Sequence, residues 1–583
     1  MVLGSTDSIP GSEDFNAPGA RRLGSELPGF ECRPRQAGWA RVASRCVVAT
    51  DGAEVIMSAD LAYPGARPFA RIESGRFFGR TTEVEDLGRH WLGNRLTYLY
   101  GPAGIGKTSL LTAGVLAFVE SSNVSLLPVG SLSRGTRSPV AALGIHNPYT
   151  MALLRSWSDA DSARLAGLTV DKFVRQYAQR RDQSVLMLAA IDQADDLFAG
   201  PDSREQDRRY FLYQLTEALR EPNLHLLVSV REDALPWIIA AIGPGELFRL
   251  SPLGIEAACR AAEGAGHFDS RAASELVRRV RTSRIVDAAG QETFIVSDEV
   301  EPALLQIACA RLADSLRVDS GPITMREMRR HGDVDAALSR YCSAVIASVA
   351  GTHDIERERL RVWLVDTFVT TAGDRQVAPE DSTGTAGQPR TVARTLEDRY
   401  LLSAHAEQAF GLRLYRLISD RLIEPLRQTD DDEASPPEDP VEYLEAAERA
   451  LNTGELGLAE KYAAKVLSVA PDTALRLHAD ARSLLGNLAY EQAHFERAAE
   501  QYLLAAELFE VAGDTMAVVR LQAARGRSLI NGGLLADGLS QLSAALNRAT
   551  SGSGATVQLE IIWLTEDVTR GIADGPPFGL SPN

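Results

Sequence analysis

The run Tyr98-Leu-Tyr-Gly-Pro-Ala-Gly-Ile-Gly-Lys-Thr-Ser109 constrains this chain more than any other stretch. An apolar segment, Leu96–Tyr100, breaks into a glycine-rich turn and then into a helical pattern from Lys107 to about Val119. That is a buried parallel strand, a loop and a helix, and the loop fits G-x-x-x-x-G-K-[ST]. Gly101, Gly104 and Gly106 let the backbone wrap a string of phosphates, with Pro102, Ala103, Ile105 and Ser109 completing the turn. The amides from Ala103 to Thr108 converge on the anion, and the helix N-terminus adds positive potential. Lys107 is placed to reach the β- and γ-phosphates of a nucleoside triphosphate, and the Thr108 hydroxyl to ligate Mg²⁺.

The next segments alternate in the same style. Apolar runs at Val124–Val129, Val185–Ile191 and Leu224–Val230 read as further strands, with helical patterns at Phe173–Arg180 and Phe211–Leu219. Strands alternating with helices imply a parallel sheet with right-handed crossovers. Asp192 ends one strand, where a carboxylate can take a Mg²⁺-bound water while its strand stays buried. Its neighbour is Gln193, which can orient water but cannot accept its proton, so slow hydrolysis is expected. Two readings stand for Asp195 and Asp196: activation of water, or charge at a helix N-terminus. Two also stand for Arg231, which leaves a strand end: a γ-phosphate sensor or a surface ion pair.

From Pro252 to Ala350 strands are expected to give way to helices, such as Pro302–Leu316 and Val334–Val349. Leu360–Leu426 mixes helices with short extended pieces, including Gln408–Leu414, as a winged-helix-like domain would. Asp374–Pro389, rich in Gly, Thr, Asp and Gln, reads as a mobile loop. Thr429–Pro440 reads as a linker, since prolines block helix continuation and like charges repel. Beyond it the chain repeats itself. Gly454, Ala459 and Pro471 mark one unit; Leu485, Gly486, Phe495, Ala498, Tyr502 and Ala505 a second; Gly526, Gly533, Leu535, Leu542 and Ala545 a third. This resembles tetratricopeptide repeats of about 34 residues, with the extra length expected in longer loops; an ordinary helical bundle is the other reading. The groove of such an array binds a protein or peptide.

Composition excludes little but tilts the balance. Net charge is −17, which argues against a protein that coats nucleic acid. The five cysteines include no CxxC spacing, so free thiols are expected. No signal peptide and no run of about 18 apolar residues is visible, so a cytoplasmic protein without a membrane span is expected.

Together the motifs resemble the STAND class of signalling ATPases, in particular the novel bacterial STAND NTPases. Tyr63-Pro-Gly-Ala-Arg-Pro-Phe69 and Phe77-Phe-Gly-Arg-Thr-Thr-Glu83 are similar to the segment before that family's P-loop. Ile191-Asp-Gln-Ala-Asp-Asp-Leu-Phe198, Val230-Arg-Glu-Asp233 and Val300-Glu-Pro-Ala-Leu-Leu-Gln306 resemble its later motifs. The resemblance implies a switch held closed by ADP and opened by ATP exchange. A C-terminal sensor meets a trigger, and oligomerisation activates an effector, often in antiphage defence or regulated cell death. It assigns the adenine to Phe78, Gly79 and Arg80, with Pro302 beside it. In relatives a His-Asp pair meets the β-phosphate of ADP; here Ser419 and Asp420 stand there, so a weaker lock is expected.

The expected fold is multidomain: an α/β P-loop NTPase domain with a parallel sheet, then helical and winged-helix-like domains, then an α-helical repeat solenoid. The expected segments are 1–62, N-terminal and largely disordered or effector-docking; 63–251, NTPase; 252–354, helical; 355–428, winged-helix-like; 429–440, linker; 441–575, repeats; and 576–583, tail. The first segment has no room for an effector domain, so a separate effector protein is the expected partner. A transcription regulator on the same core, or a repeat scaffold with a degenerate nucleotide site, are the alternatives.

Overall fold

A computed structural model describes residues 63–551 apart from 121, 133–146, 159–164, 166, 167, 181–184, 199–204, 265, 287–291, 316–321, 372, 382, 383, 408–411 and 428–438. The expectations for the N-terminal segment, most of the linker and the C-terminal tail therefore lie outside the described residues.

Five parallel strands form the first sheet: β1 (Leu96–Gly101), β2 (Val124–Ser131), β3 (Leu186–Asp192), β4 (Leu224–Arg231) and β5 (Glu246–Arg249), in the order β2-β3-β4-β1-β5. The inner strands are apolar throughout because both faces are covered. Along β3, Met187, Ala189 and Ile191 enter the core beneath helices Pro148–Trp157 and Glu205–Ala218. Leu188 and Ala190 enter the opposite core with Trp91, Leu110 and Leu111. The sequence patterns missed β5, an edge strand whose side chains are mostly exposed and so leave no apolar run.

Pairing of β1 with β4 sets Gly101 opposite Arg231, and pairing of β2 with β3 sets Ser131 opposite Asp192. The carboxyl ends of β1, β3 and β4 thus meet at one edge of the sheet, where ligands of open α/β sheets bind. The helix after the P-loop runs from Lys107 to Val119, with a π-helical stretch at Leu110–Val115.

The region after β5 is not free of strands, contrary to expectation. A hairpin pairs Thr282–Val286 with Glu292–Val296, and Leu253–Gly254 pairs with Glu299–Val300. Helices Pro302–Ser315 and Val334–His353 share one continuous core with the winged-helix-like part, through residues such as Leu304, Ile346, Leu364 and Tyr415. In that part, Leu402–Glu407 and Leu412–Leu417 form a hairpin, and Ala378–Pro379 adds a third strand. The segment expected as a mobile loop is therefore tied into a sheet, with a further bridge from Glu380 to Thr385.

Among the described residues, three helix pairs follow, starting at Pro440, Leu475 and Thr515. The expected explanation of their spacing is overturned. The connections 492–494, 512–514 and 532–534 are short, whereas the last four helices have 17 residues each, against 14 in the first two. The extra length lies in the helices. Gly486 packs against the ring of Tyr502, where a Cβ would come within 2.5 Å, and Tyr502 Oη donates to Asn487 Oδ1 at 2.9 Å inside the core.

Candidate nucleotide site

The P-loop assembles as its spacing demands. Gly104 and Gly106 have φ of 75° and 94°, and a Cβ at Gly104 would sit 2.8 Å from the Ile418 side chain. Lys107 Nζ donates to the carbonyls of Gly101 and Pro102 at 2.8 and 2.9 Å. Burial pushes its ammonium pKa down, against the pull of Asp195 and Asp192. Thr108 Oγ1 donates to Asp192 Oδ2 at 2.7 Å, while Asp192 Oδ1 is buried without a hydrogen-bond partner. A hydroxyl and a carboxylate side by side, one oxygen unsatisfied, suit Mg²⁺, which takes one or two carboxylates and fills its shell with phosphate oxygens and water. Ser109 Oγ accepts from the Phe69 amide at 3.1 Å, fastening the preceding segment to the loop.

A cavity of about 440 Å³ opens in front of Lys107, Thr108 and Asp192. Gln193, Asp195, Asp196 and Arg231 line it as well, so the sequence motifs converge on one place. Gln193 takes a left-handed φ of 53° directly after Asp192. Asp195 accepts from the Arg231 amide at 3.2 Å and pairs with its guanidinium at 3.0 Å, which removes it as a free base. Asp196 also faces the cavity, where burial and the neighbouring Asp195 push its carboxyl up to about 7.

The far wall comes from outside the NTPase domain. Arg394, Glu397, Asp398, Tyr400 and Arg413 belong to the winged-helix-like part. Arg231 forms a short ion pair with Glu397, which also binds Arg413. Burial alone would raise the Glu397 carboxyl, but Arg413 and Arg231 overcome it and hold it down at about 2. Arg231 is thus a bridge across the cavity and not a surface ion pair.

Helix Arg390–Asp398 ends in a Schellman cap: the Tyr400 amide donates to the Glu397 carbonyl and the Leu401 amide to that of Leu396, both at 2.9 Å. Tyr400 holds φ of 51° at the position glycine ordinarily fills. Its side chain lies against Gly104 and lines both this cavity and a smaller one beside it.

The smaller cavity, of about 60 Å³, is bounded by Phe78, Arg80, Ile105, Pro302 and Gln306. Residues drawn from three distant stretches of sequence therefore do come together. Gly79 meets the Ala257 carbonyl so closely that a Cβ would lie 2.4 Å from it. Arg80 donates to Glu83 at 2.6 Å and to the Ser251 carbonyl at 2.8 Å, fixing the segment on the sheet. Gln306 Oε1 is buried there with no partner.

Of the expected site residues, Gly79, Gly101, Pro102 and Ser419 line neither cavity. The Ser419 hydroxyl accepts from the Arg421 amide at 3.4 Å and caps the turn Asp420–Leu422, while Asp420 pairs with Arg375 at 2.7 Å. The preceding residue, Ile418, makes that strand's contact with the P-loop. Tyr400, Glu397 and Gln306 were not singled out by sequence reasoning. Glu397 and Asp398 in the charged run Arg394-Thr-Leu-Glu-Asp-Arg-Tyr400 look like an ordinary solvated helix end.

A family model described as Novel STAND NTPase 1 matches residues 62–424, more than half of the chain. The chain belongs to that family. Among solved structures, this STAND NTPase is similar to a Walker-type ATPase of Pyrococcus abyssi, at 14% identity over 62% of this chain and 99% of that one, with a TM-score of 0.33. It is similar to the ORC2 protein of Aeropyrum pernix in its ADPNP and ADP complexes, at 16% identity, 60% and 92% coverage and a TM-score of 0.30. A STAND protein with a tetratricopeptide repeat sensor from Pyrococcus horikoshii matches 89% of this chain and 79% of its own, at 14% identity and a TM-score of 0.26. At such TM-scores these likenesses carry no argument about this chain. No curated protein matches it at a significant level. Among the described residues, no helix is long and apolar enough to cross a membrane.

Proposed function

We propose that this STAND NTPase is a nucleotide-dependent signalling switch. It binds ATP or ADP with Mg²⁺ at the P-loop, hydrolyses ATP slowly, and oligomerises in the triphosphate state to activate a separate effector protein. A protein or peptide trigger acts through the C-terminal repeats. Antiphage defence or regulated cell death is the setting that the family resemblance suggests.

The observation that carries this reading is the shared cavity. Lys107, Thr108 and Asp192 face Glu397 and Tyr400 across one space, so a nucleotide there touches the NTPase domain and its lid together. A ligand can shift a conformational equilibrium only by binding its states differently, and a site divided between two moving parts does so by construction.

Each residue then has a task. The P-loop amides and Lys107 hold the phosphates, and Thr108 with Asp192 would hold Mg²⁺. A metal ion held by those two residues would supply positive charge to offset that of the phosphates. Arg231 is close enough to the P-loop edge to meet the γ-phosphate, in competition with Glu397. Gln193 orients water without taking its proton, and Asp196 is the carboxylate left to do so, which supports slow turnover. The smaller cavity takes the base. Gln306 lines that cavity, and its side-chain amide can turn to offer either its oxygen or its NH₂ to the edge of the base.

Mass photometry with ADP, with ATP–Mg²⁺ and with a slowly hydrolysed ATP analogue tests the switch, alongside Lys107→Ala and chromatography of co-purified nucleotide. Larger assemblies only with triphosphate, and only for the wild type, are expected once the trigger is present. A protein that carries no nucleotide and takes up none would end this reading.

A further inference from the structure

The phosphate-side cavity has a wall that neither the NTPase domain nor the winged-helix-like part supplies. Arg449, Asn452 and Thr453, from the first helix of the repeat array, Pro440–Thr453, line it as well. Side-chain contacts anchor this helix. Glu455, just beyond its end, accepts from the amides of Arg390 and Thr391 at 3.0 Å each, capping the helix that carries Glu397. Glu442, near its start, accepts from Ser348 at 2.6 Å and from Arg399 at 2.9 Å. Tyr443 Oη donates to the Gly351 carbonyl at 3.1 Å. The first repeat helix is thus clamped to the lid at both ends, with Arg449 between the clamps.

The Arg449 guanidinium is loosely held. Its nearest carboxylates, on Asp398 and Glu445, lie at 3.6 and 3.7 Å, and its Nε is buried without a hydrogen-bond partner. A planar fork of donors lining the cavity in front of the P-loop is better matched by phosphate oxygens, which accept two parallel charge-assisted bonds. Asp398, which lines the same cavity, is the carboxylate that Arg449 leaves when an anion arrives.

We propose that Arg449 is a phosphate-binding residue of the nucleotide site, contributed by the sensor array itself. The inference rests on the reading of the cavity as a nucleotide site and goes beyond it. The repeats do more than rest on a closed lid: they hold one of the ligand's contacts. A trigger that draws the first repeat helix away withdraws that contact and speeds nucleotide release, and bound nucleotide in turn tightens the docking of the array, since coupling between two sites is reciprocal.

The test uses the full chain and a fluorescent ADP analogue, with release timed after a chase of unlabelled ADP. Arg449→Ala is expected to raise the release rate about tenfold or more, and Arg449→Lys, which keeps the charge but not the fork, to fall between Ala and wild type. Hydrogen exchange on the wild type is a second measurement that needs no variant: residues 440–453 are expected to gain protection when ADP binds. Release from Arg449→Ala at the wild-type rate, or no gain of protection in 440–453, would overturn the inference. Lys107→Ala separates the two claims. If wild type binds and Lys107→Ala does not, while Arg449→Ala behaves as wild type, the nucleotide site stands and only the role of Arg449 falls. If wild type binds no nucleotide, both fall.

Discussion

Arg231, at the end of a central strand, and Glu397, in the winged-helix-like part, form a buried ion pair across the phosphate-side cavity. The pair joins the strand end beside the P-loop to the winged-helix-like part that walls the cavity. Arg231 keeps Asp195 at 3.0 Å when Glu397 is removed, so the loss is that of one charge-assisted link across the cavity, about 1.5–3 kcal/mol. Glu397→Gln is therefore expected to loosen the closed state, lower the melting temperature and raise spontaneous ADP release. Stopped-flow release at the wild-type rate would show that the pair does not hold the lid.

The Thr108–Asp192 contact gives a second expectation. Asp192→Asn keeps the shape of the site but removes the charge that Mg²⁺ needs. Its ATP affinity in Mg²⁺ should fall about tenfold or more, to the level measured with EDTA. Titration calorimetry in both buffers checks this; a retained Mg²⁺ effect would place the metal elsewhere.

Gln306 is expected to bind the base. A hydrogen bond lost from a buried polar group costs about 1–3 kcal/mol, so Gln306→Leu should weaken ATP binding about tenfold. Titration calorimetry checks this, and an unchanged affinity would remove Gln306 from base recognition.

Tyr400 occupies a glycine posture at a helix end, so its two smaller replacements should differ. Both Tyr400→Gly and Tyr400→Ala lose the wall against Gly104 and should bind nucleotide less tightly. Tyr400→Gly also sheds the left-handed strain, which costs an L-residue about 1–2 kcal/mol, and should be the more stable of the two by roughly that amount. Chemical denaturation of nucleotide-free protein makes the comparison; equal stability would mean the backbone relaxes.

His353 sits at the meeting point of three segments. Its Nδ1 faces Tyr462 of the repeats at 2.5 Å and its Nε2 faces Thr395 of the winged-helix-like part at 3.2 Å. Burial, aided by Arg449 and Lys461, pushes its pKa down to about 3. Below its ordinary value of 6.5 the unfolded chain takes up a proton that the folded chain refuses, so stability falls as pH drops from about 6.5 toward 3. The slope from this one group is at most about 1.4 kcal/mol per pH unit. His353→Gln should flatten that part of the stability profile, and an unchanged slope would assign it to other groups.

The P-loop and the strands around it were legible because their chemistry is local. Gly101 to Thr108 lie within one turn of chain, and the apolar runs of β1, β3 and β4 record burial on both faces. The lid was not legible. Glu397, Tyr400 and Arg449 acquire their roles from tertiary contacts with residues far away in sequence, and nothing in their spacing marks them. Ser419 stands where the family resemblance implies a phosphate contact, but the chain brings Ile418 and Tyr400 to the P-loop and turns Ser419 into a cap. Gln306 could have been noticed as an amide on an otherwise apolar helical face following Pro302.

The unequal helices of the repeat array bear on how the array could be rebuilt. At about 1.5 Å per residue, each of the last four described helices runs about 26 Å. A consensus repeat of ordinary length, spliced in among them, would fall nearly a turn short and leave the ends of its neighbours uncovered. The first pair, with 14-residue helices, is already of ordinary length. A graft should therefore be joined behind that pair and replace everything beyond it as a block, so that the helix bearing Arg449 is inherited unchanged.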